Sequence, residues 1–176
     1  ASVKEAEKYD AVLSQGRGEF RVRDYSLETH TEIVVSHEDD VELRRVHITN
    51  RSKKKRYIEV TSYAEVVLAP ANADAAHPAF SNLFVQTEII NERNAIICTR
   101  RPRSVDEHNP SMFHLMKVHH AKVISVTYET DRSKFIGRTN TTHQPDFLHN
   151  TDGLSGTEGF LLDPLIYITY KIVITH

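Results

Sequence analysis

The 176-residue chain has one cysteine, Cys98, no tryptophan and only six glycines. A single cysteine excludes an internal disulfide and every Cys-x-x-Cys metal or redox motif. Cys98 lies in the β-like run Ala95-Ile96-Ile97-Cys98-Thr99, which predicts a small buried hydrophobe rather than a nucleophile. No apolar run approaches the roughly 20 residues of a membrane-spanning helix, so no direct membrane insertion by this segment is expected. Glycine scarcity removes the phosphate-binding loops: Gly-x-Gly occurs only as Gly16-Arg17-Gly18, and no Gly-x-Ser-x-Gly elbow exists. A net charge of −2 removes the basic excess of a nucleic-acid binder. The run Arg51, Lys53, Lys54, Lys55, Arg56 is local and reads as a solvated turn.

What is present is alternation. Ile58, Val60, Ala64, Val66 and Leu68 share one parity, against Tyr57, Glu59, Thr61, Tyr63 and Glu65 on the other, predicting a half-buried strand over 56–68. Ile166, Ile168, Tyr170, Ile172 and Ile174 repeat the pattern at the end of the chain, and Ile124, Val126 and Tyr128 do so over 122–128. Runs at 33–35, 83–87 and 95–99 are shorter. Val41 and Leu43 lie on one face and Val46 and Ile48 on the other, which suggests a bulge or a strand covered on both sides. With Asn50–Lys55 as a polar turn, 41–49 and 56–68 look like a hairpin. Recurrent strands without a long helical period indicate an all-β antiparallel sandwich. Residues 1–19 read as a polar N-terminal arm, in part a short helix or frayed, and 20–176 as the sandwich domain. The spans 69–81 and 138–159 read as long loops, the kind of segment that often carries function. Thr130–Gly137 reads as one helical turn, capped by Thr130 or Asp131 and ended by Gly137.

Eleven histidines raise a metal centre. The densest group is His114, His119 and His120, with His114 and His120 on one strand face, but neither His-x-His nor His-Glu-x-x-His occurs. No metal site and no cofactor are expected. The cluster Glu38, Asp39, Asp40 precedes a strand and reads as a turn rather than a glycosidase carboxylate pair. Arg100-Arg101-Pro102-Arg103, Arg132 and Arg138 are guanidiniums suited to carboxylates, phosphates or sugar hydroxyls. The plainer alternative pairs Arg101 or Arg132 with Glu88, Glu129 or Asp131.

Seven segments, in order, carry a resemblance: Val41–Asn50, Thr61–Pro70, Asp74-Ala75-Ala76-His77-Pro78-Ala79-Phe80, Leu83-Phe84-Val85, Arg100–Arg103, Glu129–Arg132 with Phe135–Arg138, and Leu154–Thr157 with Leu162-Asp163-Pro164. Together, over about residues 20–174, they resemble the sandwich domain of glycoside-hydrolase family 94, formerly glycosyltransferase family 36. The His-Pro-Ala-Phe and Arg-Arg-Pro-Arg versions look most like the cyclic β-1,2-glucan synthase branch. The resemblance implies a galactose mutarotase-like antiparallel super-sandwich with one or two short helical turns. It also implies a piece of a larger multi-domain bacterial glycosyltransferase or glycoside phosphorylase. The implied partners are a β-glucan or other glucose-containing saccharide, an (α/α)6 catalytic barrel of the same polypeptide and a second copy in a homodimer. The implied setting is a cytoplasmic domain of an inner-membrane protein. Since the family's acid and phosphate pocket lie in the barrel, the chain itself is expected to be non-catalytic. By the same likeness His77, Phe80, Arg100, Arg101, Arg103, Arg132 and Arg138 are candidates for saccharide or domain contact. Two alternatives stay open: an autonomous carbohydrate-binding module, and an aldose-epimerase-like enzyme needing a histidine and a carboxylate face to face on a concave sheet.

Overall fold

A computed structural model describes residues 6–102, 104–107, 109–137, 140–141, 144–149 and 154–175, without the side chains of Pro78, Leu148 and His149. Eleven strands and three short α-helices lie among them, grouped in three sheets. The chain divides into two compact units, one spanning Ile58–Ile172, the other the chain up to Tyr57 with the last residues from Val173.

In the unit before Tyr57, β1 (Lys8–Ser14), β2 (Arg17–Asp24), β3 (Leu27–Val35) and β4 (Glu42–Asn50) form an antiparallel meander in sequence order. Residues opposite one another across antiparallel strands share a face. The register therefore puts Tyr9, Ala11, Leu13, Phe20, Val22, Leu27, Ile33, Val35, Val46 and Ile48 on one face. Arg17, Glu19, Arg21, Arg23, Glu28, His30, Glu32, Arg45 and His47 fall on the other.

Two expectations change in this unit and one holds. Pairing begins at Lys8, so from there on the expected arm is an edge strand. Tyr9, Ala11 and Leu13 alternate in step with β2, and Gly16, at φ +71°, takes the left-handed position of the turn. The expected bulge at 41–48 is absent, because β3 and β4 pair without interruption from Leu27↔Asn50 to Val35↔Glu42. Leu43 simply points out of the charged face, largely exposed. The acidic triplet makes the expected turn, with Ser36 Oγ accepting the N–H groups of Glu38 and Asp39.

The expected hairpin between 41–49 and 56–68 does not form. Strand β4 pairs with β3, while β5 (Arg56–Glu65) lies beside β11 (Pro164–Ile174) in the sheet β5-β11-β9. The contacts Thr61–Thr169 (2.9 Å) and Glu59–Lys171 (3.1 Å) run in opposite senses along the two strands, so the pair is antiparallel. The intervening turn is closed by its own groups: Asn50 Nδ2 donates to the Lys54 carbonyl at 2.7 Å, and Ser52 Oγ donates to Asn50 Oδ1. Such a turn reverses the chain without dictating which strand receives it.

The core belongs to the unit Ile58–Ile172. The middle strand β11 has seven consecutive buried residues, Pro164–Tyr170, and so is covered on both faces. That explains its Ile/Tyr/Thr-rich run, where simple alternation predicts one wet face. Strand β5 keeps the predicted alternation as far as Thr61 and loses it at Ser62–Ala64, where Tyr63 turns onto Tyr167, and Val66 and Leu68 are buried in phase beyond its end. The remaining sheet, β10-β6-β7-β8, combines β6 (Val85–Ile90), β7 (Ala95–Arg100), β8 (Met112–Leu115) and β10 (Gly159–Phe160), all antiparallel. Cys98 lies within it, fully buried, and burial pushes its thiol up to about 12, so it is the inert hydrophobe expected. Strand β9 (Lys122–Asp131) runs straight into α3 (Arg132–Ile136). Asp131 accepts the Ser133 N–H at 2.8 Å as N-cap, and Gly137 ends the helix as predicted. Phe135 and Ile136 then pack with Phe147, Leu165 and Tyr167, each such apolar side chain contributing about 1.5–3 kcal/mol relative to exposure.

The two expected loops hold regular structure. Residues 69–81 contain α1 (Ala71–Ala76) and α2 (Pro78–Asn82). Alanines favour the first, and Pro78 at its opening position suits the second. The second span holds a 3₁₀ turn at Asp146–His149 and ends on the first residue of strand β10. The histidine group does not share a face: β8 ends at Leu115, and His120 sits at φ +59° in the connection to β9.

Candidate functional site

Helix α2 brings several of the predicted contact residues together. His77 precedes it and accepts the backbone N–H groups of Phe80 and Ser81 at its carbonyl, both at 3.1 Å. Phe80 is half exposed and meets Phe84 edge-on, ring centroids 5.1 Å apart. The Arg100 guanidinium lies 5.3 Å from the centre of the Phe84 ring and donates to the Ser81 carbonyl at 2.8 Å. Arg100 is only 7% exposed, so its charge is spent on holding α2 in place. Arg101 is exposed and fixed by its backbone N–H to the Phe84 carbonyl at 2.9 Å. The result is an aromatic ledge, Phe80 over Phe84, backed by one buried and one exposed arginine. Arg103 and Arg138 lie outside the described residues.

Arg132 belongs to a second cluster that the sequence did not reveal. At the start of α3 it donates through Nη1 to both Glu65 oxygens, at 2.9 and 3.1 Å, and its Nε lies 3.6 Å from Asp163. It therefore pairs with neither Glu129 nor Asp131, because those carboxylates are occupied locally. Glu129, fully buried, accepts the backbone N–H groups of Thr130 and Asp131 and the Ser155 hydroxyl, and Asp131 caps the helix. Tyr63 donates to Glu65 and stacks on Tyr167 at 5.1 Å. Burial opposes the Arg132 charge, but the Glu65 hydrogen bond and two neighbouring carboxylates outweigh it and its pKa rises. Burial raises the Asp163 carboxyl, Arg132 only partly offsetting it, and burial with the Glu65 bond pushes Tyr63 up to about 12. Asn82, at the end of α2, reaches Asp163 at 3.4 Å, so ledge and cluster border one another.

Glu65 and Asp163 lie in the family-resembling segments Thr61–Pro70 and Leu162-Asp163-Pro164, but they are far apart in the chain and nothing local couples either of them to Arg132. The readable signal was Tyr63-x-Glu65, two polar-tipped residues on one face at a strand end.

In the other unit, Glu19, His30 and Glu32 offer ligand atoms within 4.8 Å of one another on the charged sheet face. Glu32 is claimed by Arg17 and Arg45, and Glu19 also lies 3.2 Å from Arg17. The Arg45 hydrogen bond, against burial and aided by the charges of Arg45 and Arg17, holds Glu32 below the usual carboxylate range. A metal ion would have to displace two guanidiniums, so this is an ion-pair network, not a metal centre.

The family model for the glycosyl hydrolase 94 supersandwich domain matches residues 1–176, the whole chain. A cyclic β-(1,2)-glucan synthase, NdvB, from Rhizobium meliloti (strain 1021) is 39% identical over 140 residues. That match covers 80% of this chain and 5% of the relative. The chain thus corresponds to a small part of the relative's length. Among the described residues no helix is long and apolar enough to cross a membrane.

Proposed function

Since the chain belongs to the glycosyl hydrolase 94 supersandwich family, we propose that it is a non-catalytic, saccharide-contacting sandwich domain of a β-1,2-glucan-handling enzyme. It would support an adjacent catalytic barrel of the same polypeptide. The observation that carries the reading is the α2 ledge. An aromatic face half open to solvent beside an exposed arginine, Arg101, is the chemistry that stacks on a pyranose ring and hydrogen-bonds its hydroxyls. Its residues fall in segments that resemble the family's own. Among the described residues the ledge itself, His77, Phe80, Phe84, Arg100 and Arg101, carries no carboxylate pair, which favours contact over cleavage.

The test is titration of the chain with β-1,2-linked glucose oligosaccharides, followed by calorimetry or amide shifts. Binding in the millimolar range is expected, about 4 kcal/mol of free energy, abolished by Phe80→Ala and weakened by Arg101→Ala. No phosphate should be released or consumed with glucosides. Phosphorolysis by the chain alone would overturn the non-catalytic assignment, and Phe80→Ala binding like wild type would overturn the ledge.

An aldose-epimerase-like reading has one observation in its favour: His30 Nε2 faces Glu19 at 3.0 Å on a sheet. The arginines around both carboxylates leave no unclaimed base there, and a mutarotation assay on glucose is expected to show no acceleration.

A further inference from the structure

The Glu65–Arg132–Asp163 cluster has the properties of a second ligand subsite. Its rim is open: the side chains of Arg132, Glu65 and Asp163 are 34%, 49% and 50% exposed. Its floor is closed and polar. Tyr167 is 1% exposed, and its hydroxyl is buried without a hydrogen-bond partner among the described residues. Tyr63, stacked on it, carries its own hydroxyl to Glu65. The Tyr63 ring lies between the two: it stacks on Tyr167 at 28° and reaches Glu65 with its hydroxyl, so the Tyr167 ring lines the inner side of the cluster. A buried phenol with an unspent donor is costly, and such a group calls for an acceptor supplied from outside.

The charge balance selects the ligand. One guanidinium stands against two carboxylates, leaving about one negative charge, so phosphate and other anions are repelled. Arg132 at the centre opposes a metal cation. A neutral polyol satisfies both signs, because each hydroxyl can donate to a carboxylate and accept from the guanidinium. The Asn82–Asp163 contact makes the cluster continuous with the aromatic ledge.

We infer that Glu65, Arg132 and Asp163, floored by Tyr63 and Tyr167, bind a vicinal hydroxyl pair of a glucosyl unit adjoining the one stacked on Phe80. This rests on the saccharide-contact reading above. The Tyr167 hydroxyl reaches that pair directly or through one water.

The β-1,2-linked glucose disaccharide, and separately inorganic phosphate, are titrated into the isotope-labelled chain and into Asp163→Asn, Arg132→Lys and Phe80→Ala. Asp163→Asn keeps shape and loses charge, while Arg132→Lys keeps charge and loses the fork. The expected result is disaccharide-dependent amide shifts at Glu65, Arg132 and Asp163, about tenfold weaker binding in both cluster variants, and no phosphate response. If Arg132→Lys loses its dispersed spectrum, the Asp163→Asn result decides. Shifts confined to α2, with Asp163→Asn binding like wild type, overturn the subsite and leave the ledge standing. Absence of any shift overturns both, and a phosphate response at the cluster overturns the neutral-ligand assignment.

Discussion

At the scale of single residues, Gly137 is a tightly constrained position. It sits at φ +84° and ψ 167°, a region open in practice only to glycine, and a Cβ there would overlap the Asp146 carboxylate. Gly137→Ala is expected to destabilise the chain by about 2 kcal/mol or more, the cost of the backbone plus the displaced carboxylate, measurable by urea unfolding. The same residue shows what a sequence can disclose. Gly137 is legible as a helix end because a local conformational need selects the residue type. Arg100 was legible as important but not in its role: its type announces a guanidinium, whereas its burial against Phe84 and Ser81 depends on how α2 folds back. Glu65 was legible only as the outward member of an alternation. Its partner Arg132 is 67 positions away, and no local rule couples them.

Among the elements, α3 joins the core to the candidate site. Its inner residues Phe135 and Ile136 are buried, and its first residue is Arg132. The helix is only five residues long, too short to persist on propensity, so cap and packing hold it. Asp131 Oδ1 receives both the N–H and the hydroxyl of Ser133, at 2.8 and 2.7 Å. Asp131→Ala should therefore cost about 1 kcal/mol and shift the Arg132 amide, while Asp131→Asn, still an acceptor, retains most of the stability. Equal losses in thermal unfolding for the two variants would mean that the carboxylate charge, not the cap, matters. This helix was readable because capping chemistry is local. Helices α1 and α2 leave no such signal, because Pro78 and His77 interrupt a span too short to show a helical period. The pairing of β5 is illegible for a different reason. The turn after β4 is local, but β11, the true neighbour of β5, lies some hundred residues on, and strand partners are chosen by burial rather than by sequence proximity.

For the molecule as a whole, the contrast between the two units sets the pattern of stability. Every buried apolar side chain among the described residues belongs to the unit Ile58–Ile172. In the β1–β4 meander only Glu32 and Asn50 are buried, both polar, while Tyr9, Leu13, Val35 and Val46 on its apolar face remain substantially exposed. A sheet held by cross-strand hydrogen bonds and ion pairs, with little apolar burial, opens at low free energy, because surface ion pairs contribute only about 0–1 kcal/mol each. Strand β11 is the opposite case, flanked on both edges and covered on both faces. Native-state hydrogen exchange should find the slowest amides in Leu165–Tyr170, with opening energies near the global value. The fastest strand amides should fall in β1, where all seven residues are exposed and one edge is unpaired within its sheet. Guanidinium should release β1–β4 before the β11 amides begin to exchange. A single opening energy shared by β1 and β11 would show that the two units unfold as one, and that the polar network around Glu32 holds the meander together far more strongly than its burial suggests.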